Sequence, residues 1–338
     1  MKWVVSSSLL AVLVLGVLGG SPRGAQEVVV YTSEDQVFAE PVLKAFEAKT
    51  GITVKAVYDT EETKSTGVVN RLIAEQRHPQ ADVFWSNDPV RPILLHKKGM
   101  LTPYRSANRE RIPPQYRDAE GYWTGFSARV RVIVSNRTLV APPDAPQTVR
   151  AMIAPAWHGK VAFANPLFGT STIHAAALFA LWGEEQARAF FEAMKRNGVR
   201  IATSNGEVRD LVAAGEVAWG VTDTDDAHVA LTQHKPVEVV YPDQDGLGTL
   251  IMPNMVAMIK GGPHPDNAHK LIDYLLSADV EAQLAASAAA QMPLGADVTP
   301  PAGVPTVASV KGMAVDYVQV AERLEKLQSF LSTWVGYR

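Results

Sequence analysis

The sequence predicts an α/β protein of two lobes, joined by two crossing segments that form a hinge beside a cleft. Three strand–helix units follow one another between residues 28 and 89, which is typical of a parallel sheet with right-handed crossovers. A second set begins after a proline-rich boundary at residues 142–146, and an apolar segment at 248–259 leads back to the first lobe. The 338 residues, 47% of them apolar, are sufficient to fill two such cores.

Strands and helices alternate in the predicted first lobe, which spans residues 26–130. Each strand is followed by a polar turn that can start a helix, and Ser33 with Gln36 has the spacing of a capping box. Thr60 is predicted to cap the second helix, and the third starts at residues 86–89 with Pro89 at the first helical position. The predicted strands are 28–31, 52–57 and 81–85, and the first helix ends near residue 49.

The predicted second lobe, residues 131–250, repeats this plan. A long strand at 129–134 leads into it, and residues 251–338 return to the first lobe and end in C-terminal helices. The last of these repeats apolar residues at spacings of three and four, so we expect it to pack on the outside. The predicted strands of the second lobe are 161–163, 199–201, 217–221 and 237–241, and its helices begin near 165, 184 and 204.

The first 25 residues have the features of a signal peptide. Lys2 precedes an apolar run at residues 9–18, and glycine, serine and proline follow that run. The run is too short to span a bilayer. An uncleaved membrane anchor is the alternative interpretation, but the residues that follow favour processing and therefore export.

Charge, cysteine content and missing motifs exclude several classes of protein. A formal net charge of −3 without a basic run is not the footprint of a nucleic-acid-binding protein or of a polybasic membrane patch. The absence of cysteine excludes disulfides, thiol catalysis and zinc–thiolate sites. The sequence contains no Gly-x-Ser-x-Gly elbow, no phosphate-binding loop with Gly-Lys-Ser/Thr, no His-Glu-x-x-His and no Gly-x-Gly-x-x-Gly. The sequence therefore indicates a protein that is not an enzyme, and a secreted hydrolase that uses the aspartates described next is the alternative.

Three carboxylates are concentrated at the carboxyl end of the predicted strand 217–221, where an open α/β sheet binds its ligands. Asp223, Asp225 and Asp226 lie in the sequence Thr-Asp-Thr-Asp-Asp, directly before a predicted helix. They have two interpretations. They cap the helix and complement its dipole, or they turn their oxygens toward the cleft and bind a hard cation or an ammonium group.

Polar turns at four other strand ends are expected to face the same cleft. Each turn offers free helix N–H groups and small hydroxyls, which together form an anion site if they converge. Arg129 and Arg131, on the predicted hinge strand, either reach this cleft or lie on the surface. The residues expected to line the cleft, besides the aspartates, are Thr32, Ser33, Ser86, Asn87, Gly169, Thr170, Thr172, Asn205 and Thr222.

Several segments carry a family resemblance: Val-Tyr-Thr-Ser at 30–33, Ala-Phe-Glu-Ala-Lys-Thr-Gly-Ile at 45–52, Ala-Asp-Val-Phe-Trp-Ser-Asn at 81–87 and Gly-Glu-Val-Ala-Trp-Gly at 215–220. With these segments the chain resembles the family 1 extracellular solute-binding proteins of ABC importers, and it is most similar to their periplasmic ferric-ion-binding branch. The resemblance implies a type II-like periplasmic-binding-protein fold. It also implies a periplasmic monomer without a catalytic cofactor, which carries a small ligand or metal ion to a permease in the inner membrane.

The resemblance implies that the ligand is Fe(III), held with carbonate or phosphate as a synergistic anion. Many members of that branch ligate iron through two adjacent tyrosines, whereas this chain has Asp225 and Asp226 there; carboxylate oxygens also suit a hard cation. Tyr31, Glu62 and Tyr241 are the further candidate ligands, and each also fits a packing or helix-start role. The alternative ligand is a small zwitterion such as an aminophosphonate, whose ammonium group would pair with the aspartates.

Overall fold

The computed structural model describes residues 26–59 and 66–336, so the predicted signal peptide, the helix cap at Thr60 and the candidate ligand Glu62 lie outside the described residues. The strands are β1 (Glu27–Thr32), β2 (Thr53–Tyr58), β3 (Val83–Ser86), β4 (Leu101–Thr102), β5 (Thr124–Asn136), β6 (Val161–Ala164), β7 (Arg200–Ala202), β8 (Trp219–Asp223), β9 (Val237–Val240) and β10 (Ile251–Ile259). The helices are α1 (Gln36–Thr50), α2 (Gly67–Ala74), α3 (Val90–Lys97), α4 (Gly169–Trp182), α5 (Glu184–Arg196), α6 (Asn205–Ala214), α7 (Thr224–Thr232), α8 (Pro265–Leu275), α9 (Ala278–Ala286) and α10 (Tyr317–Val335).

The long strand β5 joins the sheets of the two lobes. Its first half pairs antiparallel with β10, and its second half pairs antiparallel with β8 and β9. Parallel strands complete each lobe: β1 lies between β2 and β3, and β6 lies between β7 and β8. The strand order is β2-β1-β3-β10-β5-β8-β6-β7. The predicted two-lobed α/β fold is confirmed, and the chain crosses between the lobes along β5 and again before β10.

β5 is buried along its whole length. All thirteen of its residues are buried, and its segment 128–134 is apolar apart from two arginines. These are Arg129 and Arg131, which are 3% and 0% exposed. A buried charge is costly without a partner. Their partners therefore matter for the cleft, which lies beside this strand.

The predicted starts of α3 and α6 agree with the structure, whereas those of α1 and α4 differ. α4 begins at Gly169 instead of near residue 165, because Asn165 forms a turn by accepting from the Leu167 N–H at 3.0 Å. Ser204 caps α6, since its Oγ accepts a hydrogen bond from the Glu207 N–H at 3.1 Å. Asp88 caps α3 by accepting from the Val90 N–H at 2.8 Å. The predicted capping box of α1 is wrong: that helix begins at Gln36, and the Ser33 hydroxyl donates to Asn87 Oδ1 at 2.9 Å.

The C-terminal helix α10 packs against both lobes. Lys97 of α3, in the first lobe, forms a 2.7 Å ion pair with Glu322. In the second lobe, Trp334 Nε1 donates to the Phe191 carbonyl oxygen at 2.7 Å. Each helix in the described part of the chain is too short or too polar to cross a membrane.

Candidate ligand-binding site

A polar cavity of ≈ 260 Å³ lies between the lobes, at the carboxyl ends of β3, β6 and β8. A larger cavity of ≈ 930 Å³ lies under residues 307–318, and its lining contains two charged side chains, Lys311 and Asp316. The smaller cavity concentrates the ionisable side chains and helix starts. Of the residues predicted from the sequence, those lining it are Asn87, Gly169, Thr170, Asn205, Asp223, Asp225 and Asp226.

The three aspartates converge because β8 passes directly into α7. Asp223 is the last residue of the strand, and Asp225 and Asp226 lie in the first turn of the helix. One carboxylate oxygen from each lies within 4.8 Å of the others. Among the described residues this is the one group of three acidic or histidine side chains with the spacing to hold a metal ion.

Two buried arginines balance part of this negative charge. Arg129 Nε donates to Asp225 at 2.9 Å, and the rest of its guanidinium pairs with Glu34 at 2.6 Å. Arg131 donates to Asp223 at 2.8 Å. The sequence alone did not decide whether these arginines lie on the surface or reach the cleft. Their alternate positions within the otherwise apolar segment 128–134 were the signal that they share one face of the strand.

Asp226 has the least compensated carboxylate of the three. It accepts from the Thr222 hydroxyl at 2.9 Å, and the Arg209 guanidinium lies at 3.5 Å. Burial, followed by the charges of Asp225 and Asp223, raises the pKa of Asp226 to about 7. A cation that enters the cavity therefore competes with a proton for this carboxylate.

The helix-capping interpretation of the aspartates holds only in part. Asp225 Oδ1 accepts from the Asp226 N–H at 3.0 Å. Asp223 occupies the cap position but makes no side-chain cap hydrogen bond. Its oxygens are bonded to Arg131, Thr170 and Asn205 instead.

Five of the predicted cleft residues do not line the cavity. Thr32 Oγ1 accepts from the Glu34 N–H at 2.9 Å, and Ser86 Oγ accepts from the Asp88 N–H at 3.3 Å. Ser33 binds Asn87 and so supports a residue that does line the cavity. Thr172 is 1% exposed on α4, and Thr222 supports Asp226 from below.

The structure does not bring the two tyrosine candidates to the cavity. The Tyr31 hydroxyl donates to Glu75 Oε2 at 2.9 Å, and burial raises the pKa of Tyr31 to about 12. Tyr241 packs against the apolar core, and burial raises its pKa as well. Both shifts disfavour a phenolate. Tyr31 lies on β1 and Tyr241 follows β9, and neither side chain lines the cavity.

Helix N-termini form the opposite electrostatic half of the site. The N-terminus of α4 at Gly169 has no side-chain cap and lies at the cavity wall, beside the start of α6. The first N–H groups of a helix attract an anion, and the helix dipole adds to this attraction. The cavity therefore offers carboxylates and anion-binding groups within one small volume, which suits a ligand, or a pair of ligands, carrying both signs of charge.

Comparison with known proteins shows which family this chain resembles. Residues 79–314 match the family described as bacterial extracellular solute-binding protein. The chain is 28% identical over 280 residues to iron uptake protein A1 of Synechocystis sp. (79% of this chain, 76% of that protein). It is 29% identical over 228 residues to the Fe(3+)-binding periplasmic protein of Serratia marcescens (65% of each).

Two further matches are a relative named for a different ligand and a solved structure with the same fold. The chain is 26% identical over 305 residues to a putative 2-aminoethylphosphonate-binding periplasmic protein of Salmonella typhimurium (87% of this chain, 86% of that protein). It superposes on the apo ferric ion-binding protein A of Pasteurella haemolytica with a TM-score of 0.82 and 25% identity, covering 93% and 98% of the two chains. The family match takes in more than half of the sequence, and the same two-lobed fold surrounds the cavity. The chain belongs to the bacterial extracellular solute-binding proteins.

Proposed function

We propose that this protein is the periplasmic receptor of an ABC importer, and that it binds a ferric ion between its lobes and delivers it to the permease. Residues 1–25 would be removed during export, and the lobes would comprise residues 26–130 with 251–338, and 131–250. The observation that carries the proposal is the group of Asp223, Asp225 and Asp226 at the cavity, with carboxylate oxygens within 4.8 Å of one another. Oxygen donors suit a hard trivalent cation.

The charges around the cavity support a bound anion beside the metal. Arg129 and Arg131 balance the charge of Asp225 and Asp223, so the three carboxylates alone leave a trivalent ion poorly compensated. Carbonate or phosphate at the N-terminus of α4 would supply the missing negative charge and further oxygen ligands. The names of two relatives, an iron uptake protein and an Fe(3+)-binding protein, agree with this ligand.

A zwitterion such as 2-aminoethylphosphonate is the second candidate ligand. The observation that favours it is the pairing of two aspartates with buried arginines, while Tyr31 and Tyr241 do not line the cavity. The phosphonate would bind the N-terminus of α4, and the ammonium group would pair with Asp226. One relative carries the name of this ligand.

The ligand content of the exported protein tests the proposal. We would purify it from the periplasm and measure bound elements and the native mass before and after denaturation; the mass also reports whether the signal peptide is removed. One iron per chain is the result expected. A metal-free protein that releases a small phosphorus-containing molecule would replace iron with the zwitterion. A protein that arrives empty is titrated with ferric citrate and with 2-aminoethylphosphonate, and binding of neither would contradict both candidates.

Replacing Asp225 and Asp226 together by Ala is expected to abolish binding while the protein still folds. These carboxylates are partly exposed at the cavity, at 16% and 19%, and they face no apolar core. Isothermal titration calorimetry measures binding, and thermal unfolding measures stability. The matched control replaces Glu216 and Asp279, whose side chains are 55% and 82% exposed. It removes the same charge and should bind like the wild type; equal binding by both double variants would remove the aspartates from the site.

A further inference from the structure

Arg131 is fully buried beneath the cavity, between the structural elements that form its second-lobe wall. It lies opposite Asp223 in the register of β5 and β8. Its NH1 group donates to Asp223 Oδ1 at 2.8 Å, to Asn205 Oδ1 at 2.9 Å and to Thr170 Oγ1 at 3.1 Å. Its NH2 group donates to Ser171 Oγ at 3.2 Å. One guanidinium therefore binds β8, the start of α6 and the start of α4.

The carboxylate of Asp223 completes the same network. Its Oδ2 accepts from the Thr170 hydroxyl at 2.6 Å and from Asn205 Nδ2 at 3.0 Å. Its Oδ1 is the acceptor for Arg131. Both oxygens thus already have short bonds to groups of the protein, and the Asp223 side chain is only 5% exposed.

Asp225 and Asp226 differ from Asp223 in their exposure. Their side chains are 16% and 19% exposed at the cavity. Asp226 has one short hydrogen bond, from Thr222, and the Arg209 guanidinium is at 3.5 Å. Asp225 has a bond on each oxygen, from Arg129 Nε at 2.9 Å and from the Asp226 N–H at 3.0 Å, but its carboxylate is open to the cavity like that of Asp226. A ligand can therefore reach Asp225 and Asp226, whereas the partners of Asp223 close that carboxylate off.

We propose that Arg131 and Asp223 form a positioning pair, which holds the N-termini of α4 and α6 at the cavity for the anionic part of the ligand, and that Asp223 itself is not a ligand. This inference rests on the proposed function, since it assigns roles within the same cavity. Asp225 and Asp226 supply the carboxylates for the cationic part. Buried partners of this kind orient the binding groups and are worth about 10- to 100-fold in affinity.

The test compares the single variants Arg131→Gln and Asp223→Asn with the double variant. Hydrogen–deuterium exchange of the hydrogen-bonded N–H groups in the first full turn of each helix, at 173–176 and 208–211, in the ligand-free protein is the first readout. We expect each single variant to speed this exchange about tenfold, because the helix starts lose their common anchor. The double variant, which leaves neither charge buried alone, should recover much of the thermal stability lost in the single variants.

Phe191→Leu is the control for a general loss of stability. Phe191 is fully buried in the second lobe and makes no bond to this network. This control should lower the melting temperature without a selective change at the two helix starts. Unchanged exchange there in Arg131→Gln, or an equal change in Phe191→Leu, would overturn the positioning role. This readout needs no ligand, so it stands even if the wild type binds neither probe and the proposed function fails.

Binding separates the positioning role from direct ligation. With ferric citrate, or with 2-aminoethylphosphonate if that is the probe the wild type binds, Asp223→Asn should keep one ligand per chain with affinity lowered about tenfold. Asp225→Asn and Asp226→Asn should lose the ligand. Complete loss of binding in Asp223→Asn, with exchange at both helix starts as in the wild type, would show that Asp223 is a direct ligand and overturn the proposal.

Discussion

At the scale of single residues, the site is shaped by how its charges are paired. Arg129 bridges the lobes, because it binds Glu34 of the first lobe at 2.6 Å and Asp225 of the second at 2.9 Å. Arg131 binds Asp223 within the second lobe. Asp226 remains the most weakly compensated carboxylate, and burial beside two like charges raises its pKa to about 7. Its protonation should therefore affect both stability and binding.

We expect the contribution of Asp226 to the stability of the ligand-free protein to fall as the pH rises from 4 to 7. The folded state binds this proton more tightly than the unfolded state does, because the pKa is raised from 3.8 to about 7. The stabilisation is complete below the unfolded pKa and is lost as the pH rises through the folded pKa.

Thermal unfolding of wild type and Asp226→Asn from pH 4 to pH 8 isolates this effect. Asn cannot titrate, so the difference between the two proteins removes the contribution of other groups. The wild type should lose melting temperature relative to the variant as the pH rises. A difference that stays constant over this range would show that Asp226 has an ordinary pKa.

At the scale of elements, β8 fits tightly between its neighbours. Gly220 lies in the middle of this strand, and a Cβ there would come within 2.5 Å of a Val208 methyl group and 2.8 Å of the Ala162 carbonyl oxygen. The glycine lets α6 approach the sheet closely, and α6 carries Asn205 at its start. The position of the cavity wall thus depends on a residue that does not line the cavity.

Gly220→Ala is expected to destabilise the protein by about 1–3 kcal/mol, because overpacking forces the strand and α6 apart. Urea unfolding measures the change. Gly246→Ala is the matched control, since the nearest atom to its added Cβ is at 3.7 Å, and its effect should stay within about 0.5 kcal/mol. Equal stability of the two variants would mean that the close approach has no energetic weight.

At the scale of the whole molecule, the strand β5, the segment before β10 and the helix α10 connect the lobes. β5 runs through both sheets, and β10 pairs with its first half. Helix α10 adds a connection outside the sheet, with Glu322 bound to the first lobe and Trp334 bound to the second. Hinge motion in this family of folds closes the lobes on a ligand, so α10 has to accommodate any such motion here.

Trp334→Ala should lower the free energy of unfolding by about 3–5 kcal/mol, because it removes a large buried ring from the second lobe. The indole is 4% exposed, packs edge-on to Phe191 at 5.2 Å between ring centroids and donates a hydrogen bond to the same residue. Val318→Ala on the same helix, at a position 39% exposed, serves as the control and should change stability by less than about 0.5 kcal/mol. Similar urea midpoints for both variants would contradict the docking of α10 on the second lobe.

Local sequence patterns were sufficient for the fold class, most strand and helix positions, and the place of the aspartates at the end of β8. These features depend on neighbours two to four residues apart, whose spacing sets the period of a strand or helix and its cap. The predicted capping box of α1 failed because the Ser33 hydroxyl binds Asn87, 54 residues away.

Tertiary structure decided which polar groups are available to a ligand. Arg131 meets Asp223 across 92 residues of sequence, Arg129 meets Asp225 across 96, and Tyr31 meets Glu75 across 44. Such pairs follow from the register between strands and from the packing of helices on the sheet, which no short window of sequence contains. Local pattern therefore placed the carboxylates at the cleft, whereas the folded chain determined which of them are already neutralised.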